Sequence, residues 1–278
     1  MPRLGVLGWP VAHSRSPAIH NAALAALGMD GWRYQRLPVP PGLFAETTRA
    51  LHASGFVGAN VTIPYKHAAL ELATQASETA RAIGAANTLS FAPDGTIAAE
   101  NTDAPGLLAA LPTSPRGLRA LVLGAGGSAR AAAWALREAG AAEVAIWNRT
   151  AERAQALARE LDVLAVRAPR AADLLINCTS VGLQQGPGIE RSATEPEALN
   201  QLGLTFDQVG EYSYVIDMVY RSGSTPLLAA ASRHGARTVD GLEILVAQGA
   251  LSFRVWTGRE PPLEVMRGAA RAPDAGDD

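Results

Sequence analysis

One side chain stands apart from the rest of this chain by its type. The sequence carries 23 arginines and a single lysine, Lys66. Lysine can lose its proton in a protein and arginine cannot, so arginine could not fill a position that takes and gives a proton. Two readings stand at this level: a proton-handling group, or a surface lysine left behind by codon bias. Just upstream, Asn60-Val61-Thr62 puts two polar side chains two residues apart on a strand, hence on one face. Ser14-Arg15-Ser16-Pro17 puts two hydroxyls ahead of a helix, which suits a carboxylate. Ser16 reads as the helix cap with Pro17 in the first turn, and Ser14 has no capping role. Five of the seven asparagines (Asn60, Asn87, Asn101, Asn148, Asn177) fall at strand ends. Taken singly, each is a turn or cap residue.

A second group points to a nucleotide. Gly124-Ala125-Gly126-Gly127-Ser128-Ala129 fits G-x-G-x-x-G/A between a strand and a helix. Its first Gly makes the tight turn, its second admits a pyrophosphate to the backbone, and its small third position lets helix pack on strand. The next strand ends Trp147-Asn148-Arg149-Thr150, with no acidic residue to accept from a ribose 2′-hydroxyl. Arg149 instead supplies the charge that a 2′-phosphate needs, so the cofactor is read as NADP. Cys178, the only cysteine, reads as a small hydrophobe: no charged neighbour in sequence would activate its thiol.

The elements that must position these residues alternate strand and helix, which argues for α/β architecture with parallel sheets. Strands are expected at 4–8, 32–39 and 56–63, and helices at 16–27, 43–53 and 68–76. A hairpin of 87–91 and 96–100 turns around Pro93-Asp94-Gly95. Further strands are expected at 121–123, 144–147, 174–176, 214–219 and 238–239, with helices at 130–139, 151–161, 226–234 and 242–256. The polar stretch Gln184 to Glu211 reads as a long mobile loop with a helical turn in it, and the tail after Arg267 as frayed. Domains are expected at 1–103, with 239–278 returning to it, and at 104–238.

Composition narrows the class. Hydrophobic residues make up 48% and charged ones 18%, an ordinary globular balance. A formal net charge of −2, with no basic tract, gives no reason to expect nucleic acid. One cysteine rules out an intrachain disulfide and a cysteine-based zinc site. No run approaches a membrane span and the first residues lead straight into a strand-like run, so a cytoplasmic enzyme is expected.

Taken together the motifs resemble the shikimate dehydrogenase family through most of the chain. They are S-x-S-P at 14–17, N-V-T-I-P-x-K at 60–66, A-x-N-T at 85–88, N-T-D-x-x-G at 101–106, G-A-G-G-x-x-R-A at 124–131, N-R-T at 148–150, N-C-T-x-x-G at 177–182 and D-G-L-E-x-L-V-x-Q at 240–248. The resemblance implies an N-terminal substrate domain, a Rossmann-type NADP domain and a last helix returning to the first. It implies reversible, NADP-dependent oxidation of shikimate to 3-dehydroshikimate, a step toward chorismate and the aromatic amino acids, by a monomer or homodimer. On the matched positions it makes Lys66 and Asp103 the catalytic pair and Ser14 and Ser16 the carboxylate hydroxyls. Asn60, Thr62, Asn87, Asp103 and Gln248 become ligands of the ring hydroxyls, with Tyr220 a further neighbour. Gly124, Gly126, Gly127, Ser128 and Ala129 hold the pyrophosphate, Asn148, Arg149 and Thr150 the adenosine phosphate, and Met218 and Gly241 line the nicotinamide. Two positions depart from the pattern: Arg221-Ser222 stands where the family often has Asn-Pro, and Arg15 replaces an apolar residue. Lys66 either transfers the proton or stays charged, with water or Asp103 handling it. The alternatives are a relaxed quinate/shikimate dehydrogenase and a dinucleotide-sensing module without turnover.

Overall fold

Alternating apolar residues with two buried faces make the strands of this chain, and amphipathic helices cover them. The computed structural model describes residues 1–183, 193–221 and 223–273. The chain divides into two compact units, one of Met1–Thr102 with Leu245–Asp278 and one of Asp103–Ile244.

The first unit holds a six-stranded sheet in the order β2-β1-β3-β5-β6-β4. Its strands are β1 (Arg3–Gly8), β2 (Arg33–Pro38), β3 (Phe56–Val61), β4 (Gln75–Ala76), β5 (Thr88–Phe91) and β6 (Ile97–Glu100). The sheet is mixed where parallel pairing was expected. β1 lies parallel to β2 and β3, while β5 runs antiparallel to both β3 and β6. The hairpin turn imposes this between β5 and β6, because so short a turn can only return the chain antiparallel. One face buries Leu7, Ala59, Val61 and Leu89 against Phe44 of α2 (Phe44–Leu51) and Ala69 of α3 (Lys66–Leu72). The other buries Leu4, Val6 and Tyr34.

That second face packs on α1 (Ser16–Ala26) and α11 (Gly241–Thr257) through a stack of rings. His20 lies flat on Tyr34, with centroids 4.3 Å apart, and beside Phe253 and Trp256. Trp256 crosses directly over Gly58: a β-carbon there would come within 2.1 Å of the indole nitrogen. The same nitrogen donates to the Leu89 carbonyl at 2.9 Å, so the ring has no room to yield. Helix α12 (Leu263–Arg271) occupies the stretch expected to fray, because Met266 and Ala270 bury one side of it and it packs along α1. The short α4 (Glu78–Ile83), capped by Ser77, and strand β4 replace the end of the helix expected over 68–76. Thr74 causes the break by pairing with Ile97 of β6.

The second unit is an all-parallel sheet, β12-β11-β10-β7-β8-β9. Its strands are β7 (Arg119–Leu123), β8 (Glu143–Trp147), β9 (Leu164–Ala165), β10 (Leu174–Asn177), β11 (Tyr214–Asp217) and β12 (Arg237–Val239). Successive residues of β7 feed opposite cores: Val122 packs with Leu136 of α6 (Gly127–Glu138) and Leu157 of α7 (Ala151–Leu161), Leu121 and Leu123 with Leu227 of α10 (Pro226–Arg233). Helix α5 (Asp103–Ala110) was not expected; Asp103 is its first residue and Leu107 its anchor in the core. Of the expected loop over 184–211, residues 184–192 lie outside the described residues. The remainder folds into α8 (Glu195–Gln201) and α9 (Phe206–Val209), each opened by a capping box, Thr194 with Glu197 and Thr205 with Gln208. No described helix is long and apolar enough to cross a membrane.

Burial holds His20 neutral, its pKa lowered to about 3, and neither ring nitrogen has a partner among the described residues. An unfolded histidine takes up a proton as the pH falls through 6.5, and this one does not, so the unfolded state gains. Stability from this site is present above about pH 6.5 and is lost toward pH 3. Between about pH 7 and pH 5 the loss is about 2 kcal/mol. His20→Phe, measured by urea unfolding at both values, is expected to remove that part of the acid sensitivity. An unchanged slope would place the sensitivity elsewhere.

Candidate active site

The polar residues singled out from sequence fall at strand ends and helix starts in both units. In the first unit the turn before α1 differs from expectation in its capping. Ser16 is the first helical residue, and its N–H donates to the Ser14 hydroxyl at 3.3 Å. The N-cap is therefore Arg15, with no side-chain cap, and Ser14 closes a short turn onto the first helical N–H. Because its oxygen accepts that bond, the Ser14 proton is directed away from the helix and free to donate to an anion. Both serines are 5% exposed. Arg15, which departs from the family pattern, turns to the other side and donates to the carbonyls of Ala269 and Ala272, near the end of α12. Arg36 of β2 donates from Nε to the Ser14 carbonyl at 3.2 Å and steadies the turn. Burial first, and the Arg36 charge second, push the neighbouring His13 imidazole below its ordinary value.

After β3 the chain bends through Thr62 to Tyr65 and enters α3 at Lys66. The Tyr65 ring stacks on Phe44 at 4.5 Å, and its hydroxyl donates to Val39 at 2.6 Å. These two contacts fix the backbone just before Lys66. The Lys66 carbonyl accepts from Ala86 at 2.8 Å, which ties the lysine to the bend that carries Asn87 just before β5. Lys66 is half-buried and Thr62 likewise. A cation in the first turn opposes the helix dipole by a few tenths of a kcal/mol, so local propensity does not account for a lysine there.

Asn60, Asn87 and Gln248 come together beneath this surface. Asn60 accepts from the Tyr34 hydroxyl at 2.8 Å and donates to Asn87 O, Thr88 and Ser252. Asn87 donates to Gln248 at 3.1 Å and accepts from the Thr102 N–H at 2.7 Å. Gln248 donates to the Leu245 carbonyl at 2.8 Å. Asn101 instead holds the turn at Ala85, at 2.9 Å, and serves the fold.

In the second unit the glycine-rich turn joins β7 to α6. Gly124 has φ +112°, and a β-carbon there would meet the Cys178 carbonyl at 3.2 Å, so only glycine fits. At Gly126 a β-carbon would meet nothing within 4 Å, so the backbone faces open space at the helix start. Ala129 is fully buried against the sheet, as the small third position requires. These features fit a dinucleotide pyrophosphate. Asn148 donates to the Thr150 carbonyl at 2.9 Å and shapes the next turn, where Arg149 and Thr150 are exposed. Tyr220 lines a pocket of about 300 Å³ with Arg221, Thr225 and Asp240. Gly241 packs so closely on the Met218 carbonyl that a β-carbon would come within 2.5 Å. Cys178 lies against the core with its thiol 3.3 Å from the Met218 sulfur, as its reading as a hydrophobe requires.

Residues 6–89 match the family model of the shikimate dehydrogenase substrate binding domain. Residues 109–181 match that of shikimate / quinate 5-dehydrogenase, and 241–271 that of the shikimate 5′-dehydrogenase C-terminal domain. The chain is 42% identical to the NADP(+) shikimate dehydrogenase of Methanothermobacter thermautotrophicus, covering 96% of this chain and 95% of that one. The chain belongs to the shikimate dehydrogenase family. It is 44% identical to the family's Thermus thermophilus member, with 98% of each covered. Among solved structures, a shikimate 5-dehydrogenase of Thermus thermophilus in complex with NADP(H) and shikimate superposes with a TM-score of 0.85. That pair is 41% identical over 98% of this chain and 99% of the other.

The family's motif residues rest on supports that sequence reasoning missed. Buried Asp217 ends β11 and accepts from Asn177 at 2.8 Å, the Val219 N–H at 3.0 Å and Thr225 at 2.6 Å. Asn177 in turn accepts from Thr179, so this carboxylate holds the N-C-T turn in shape. An acidic residue closing an apolar strand was the available signal. Burial pushes the Asp217 carboxyl up to about 6 against the three donors. Ionising it costs stability, a contribution present below about pH 4 and lost as pH rises through 6. Thr225→Val removes a donor that favours the ionised form, so it is expected to raise the Asp217 pKa further, read by carboxyl-labelled NMR titration. A fall would show that the hydroxyl does not support the carboxylate.

Proposed function

We propose that this chain reversibly oxidises shikimate to 3-dehydroshikimate with NADP, in the cytoplasm, on the route to chorismate and the aromatic amino acids. The observation carrying this is full-length similarity to an enzyme whose structure holds both NADP(H) and shikimate. The first unit supplies the substrate groups. Ser14 and Ser16 donate to the carboxylate, and Thr62, Asn87 and Gln248 hold ring hydroxyls, with Tyr220 as a neighbour. Asn60 is enclosed by four partners of its own, so its part is to hold Asn87 rather than the ligand. Fixing a cyclic substrate through its carboxylate and hydroxyls aims one carbon at the nicotinamide, the orientational share of catalysis.

The second unit supplies the cofactor groups. Backbone N–H groups from Gly124 to Ala129 cradle the pyrophosphate, Asn148, Arg149 and Thr150 receive the adenosine phosphate, and Met218 and Gly241 line the nicotinamide. When bound, NADP supplies the hydride acceptor. Lys66 takes the proton of the reacting hydroxyl as oxidation proceeds and returns it in reduction, with Asp103 orienting it; such a role is worth about 10²–10⁴-fold.

An absorbance assay of NADPH formation, with shikimate or quinate against NADP or NAD, tests the whole reading. Comparable rates on quinate would make the enzyme a relaxed one, and no turnover on either would end the assignment. Arg149→Ala is expected to weaken NADP use roughly tenfold to a hundredfold and leave NAD kinetics unchanged. Equal losses with both cofactors would mean that Arg149 supports the fold. Lys66→Arg keeps the charge and is expected to lose about 10²-fold or more in kcat. A loss of only a few-fold would assign Lys66 to charge stabilisation.

A further inference from the structure

The hydroxyls of Thr88, Thr102 and Ser252 form a closed triangle with sides of 3.1, 3.0 and 3.2 Å. Thr88 and Ser252 are 0% exposed, so neither can touch a ligand. Three hydroxyls in a ring have no inherent direction for their protons, and the groups around them set it. On one side Asn60 donates to Ser252 at 2.9 Å and to Thr88 at 3.2 Å. On the other, Thr88 and Thr102 each reach the Asn87 oxygen at 3.2 Å, and Thr102 accepts from the Asn87 amide at 3.0 Å. Ser252 donates one helical turn back to the Gln248 backbone carbonyl at 3.1 Å, and Thr102 reaches Gln248 Oε1 at 3.5 Å. Through Thr102, both amides read as ligands are tied to the triangle. The Thr102 N–H decides which end of Asn87 is oxygen, and the hydroxyls fix the tilt of its plane.

We propose that Thr88 and Ser252 are positioning residues, which set the planes of Asn87 and Gln248 and so select the ring hydroxyls that the site accepts. The proposal rests on the reading of the chain as a shikimate dehydrogenase. Gln248 keeps one amide N–H beyond the bond to Leu245. Where that proton points depends on the Asn87 amide meeting Gln248 Oε1 squarely, and Asn87 is held by Thr88. A hydroxyl in a ligand is recognised by donor and acceptor directions as much as by distance, so a tilted amide loses discrimination.

Thr88→Val removes the hydroxyl at nearly constant shape, while Asn60 keeps Asn87 O and Ser252 as acceptors, so the unit should still fold. The expected result is a roughly fivefold rise in KM for shikimate, with KM for NADP within twofold, and recovery of both in Thr88→Ser. With 4-deoxy- and 5-deoxyshikimate, the penalty should vanish for whichever analogue lacks the hydroxyl that the amides hold. Ser252→Ala approaches the same triangle from α11 and should repeat the pattern, which keeps the test decisive if Thr88→Val fails to fold. Equal penalties on shikimate and both analogues, or Thr88→Ser behaving as Thr88→Val, would overturn the proposal and leave the function standing. A parent protein that turns over no shikimate would overturn both.

Discussion

The Asn60 amide lies under the candidate substrate site with its oxygen on the Tyr34 hydroxyl and its nitrogen among three acceptors. A buried amide left unpaired costs about 1–3 kcal/mol, so everything around it is arranged to satisfy it. Tyr34 must stand on β2, and its ring must be held by His20 from α1. Ser252 must face inward from α11 one turn after Gln248. The hairpin strand β5 must run antiparallel to β3 so that Thr88 and Asn60 are register partners. Several elements thus meet on one polar group, and Asn87 and Gln248, the ligand residues proposed above, are the outer members of the same arrangement.

The two units meet the demands of their chemistry by different means. The second has a sheet buried on both faces, and its specialised groups sit in turns at the carboxyl ends of β7, β8, β10 and β11. There, backbone groups and one buried carboxylate, Asp217, define the shapes. The first unit relies on side-chain amides and hydroxyls within its interior. The former suits phosphates, which take backbone N–H groups and charge. The latter suits a polyhydroxylated ring, which needs donors and acceptors in fixed directions.

Local signals made much of this legible in the chain. Glycine spacing placed the turn after β7, because the positive φ of Gly124 and its close approach to Cys178 leave few other residues possible there. The lone lysine falls on α3's first residue, and the role proposed for it rests on a proton that arginine would not release. The cap expected at Ser16 falls on Arg15, because the backbone turns helical one residue earlier than the hydroxyl and Pro17 suggest. Helix α5 was missed because Pro105 and Gly106 in Asp103–Ala110 argue against helix, and burial of Leu107 outweighs them. Helix α12 was missed because its apolar side, Met266 and Ala270, is short and needs α1 to be worth anything. The hydroxyl triangle was out of reach for another reason: Thr88, Thr102 and Ser252 are far apart in sequence, and only the fold brings them together.

The bonds from Arg15 to the carbonyls of Ala269 and Ala272 have a consequence for how this sequence can drift. The residue between the two serines is here the donor that closes the end of α12. An apolar side chain at position 15 would hand the Ala272 carbonyl, at an exposed helix end, back to water and would loosen the hold on α12. Position 15 and the stretch from 269 to 272 are therefore coupled, although more than 250 residues lie between them. A substitution in the serine turn is felt at the last helix of the chain.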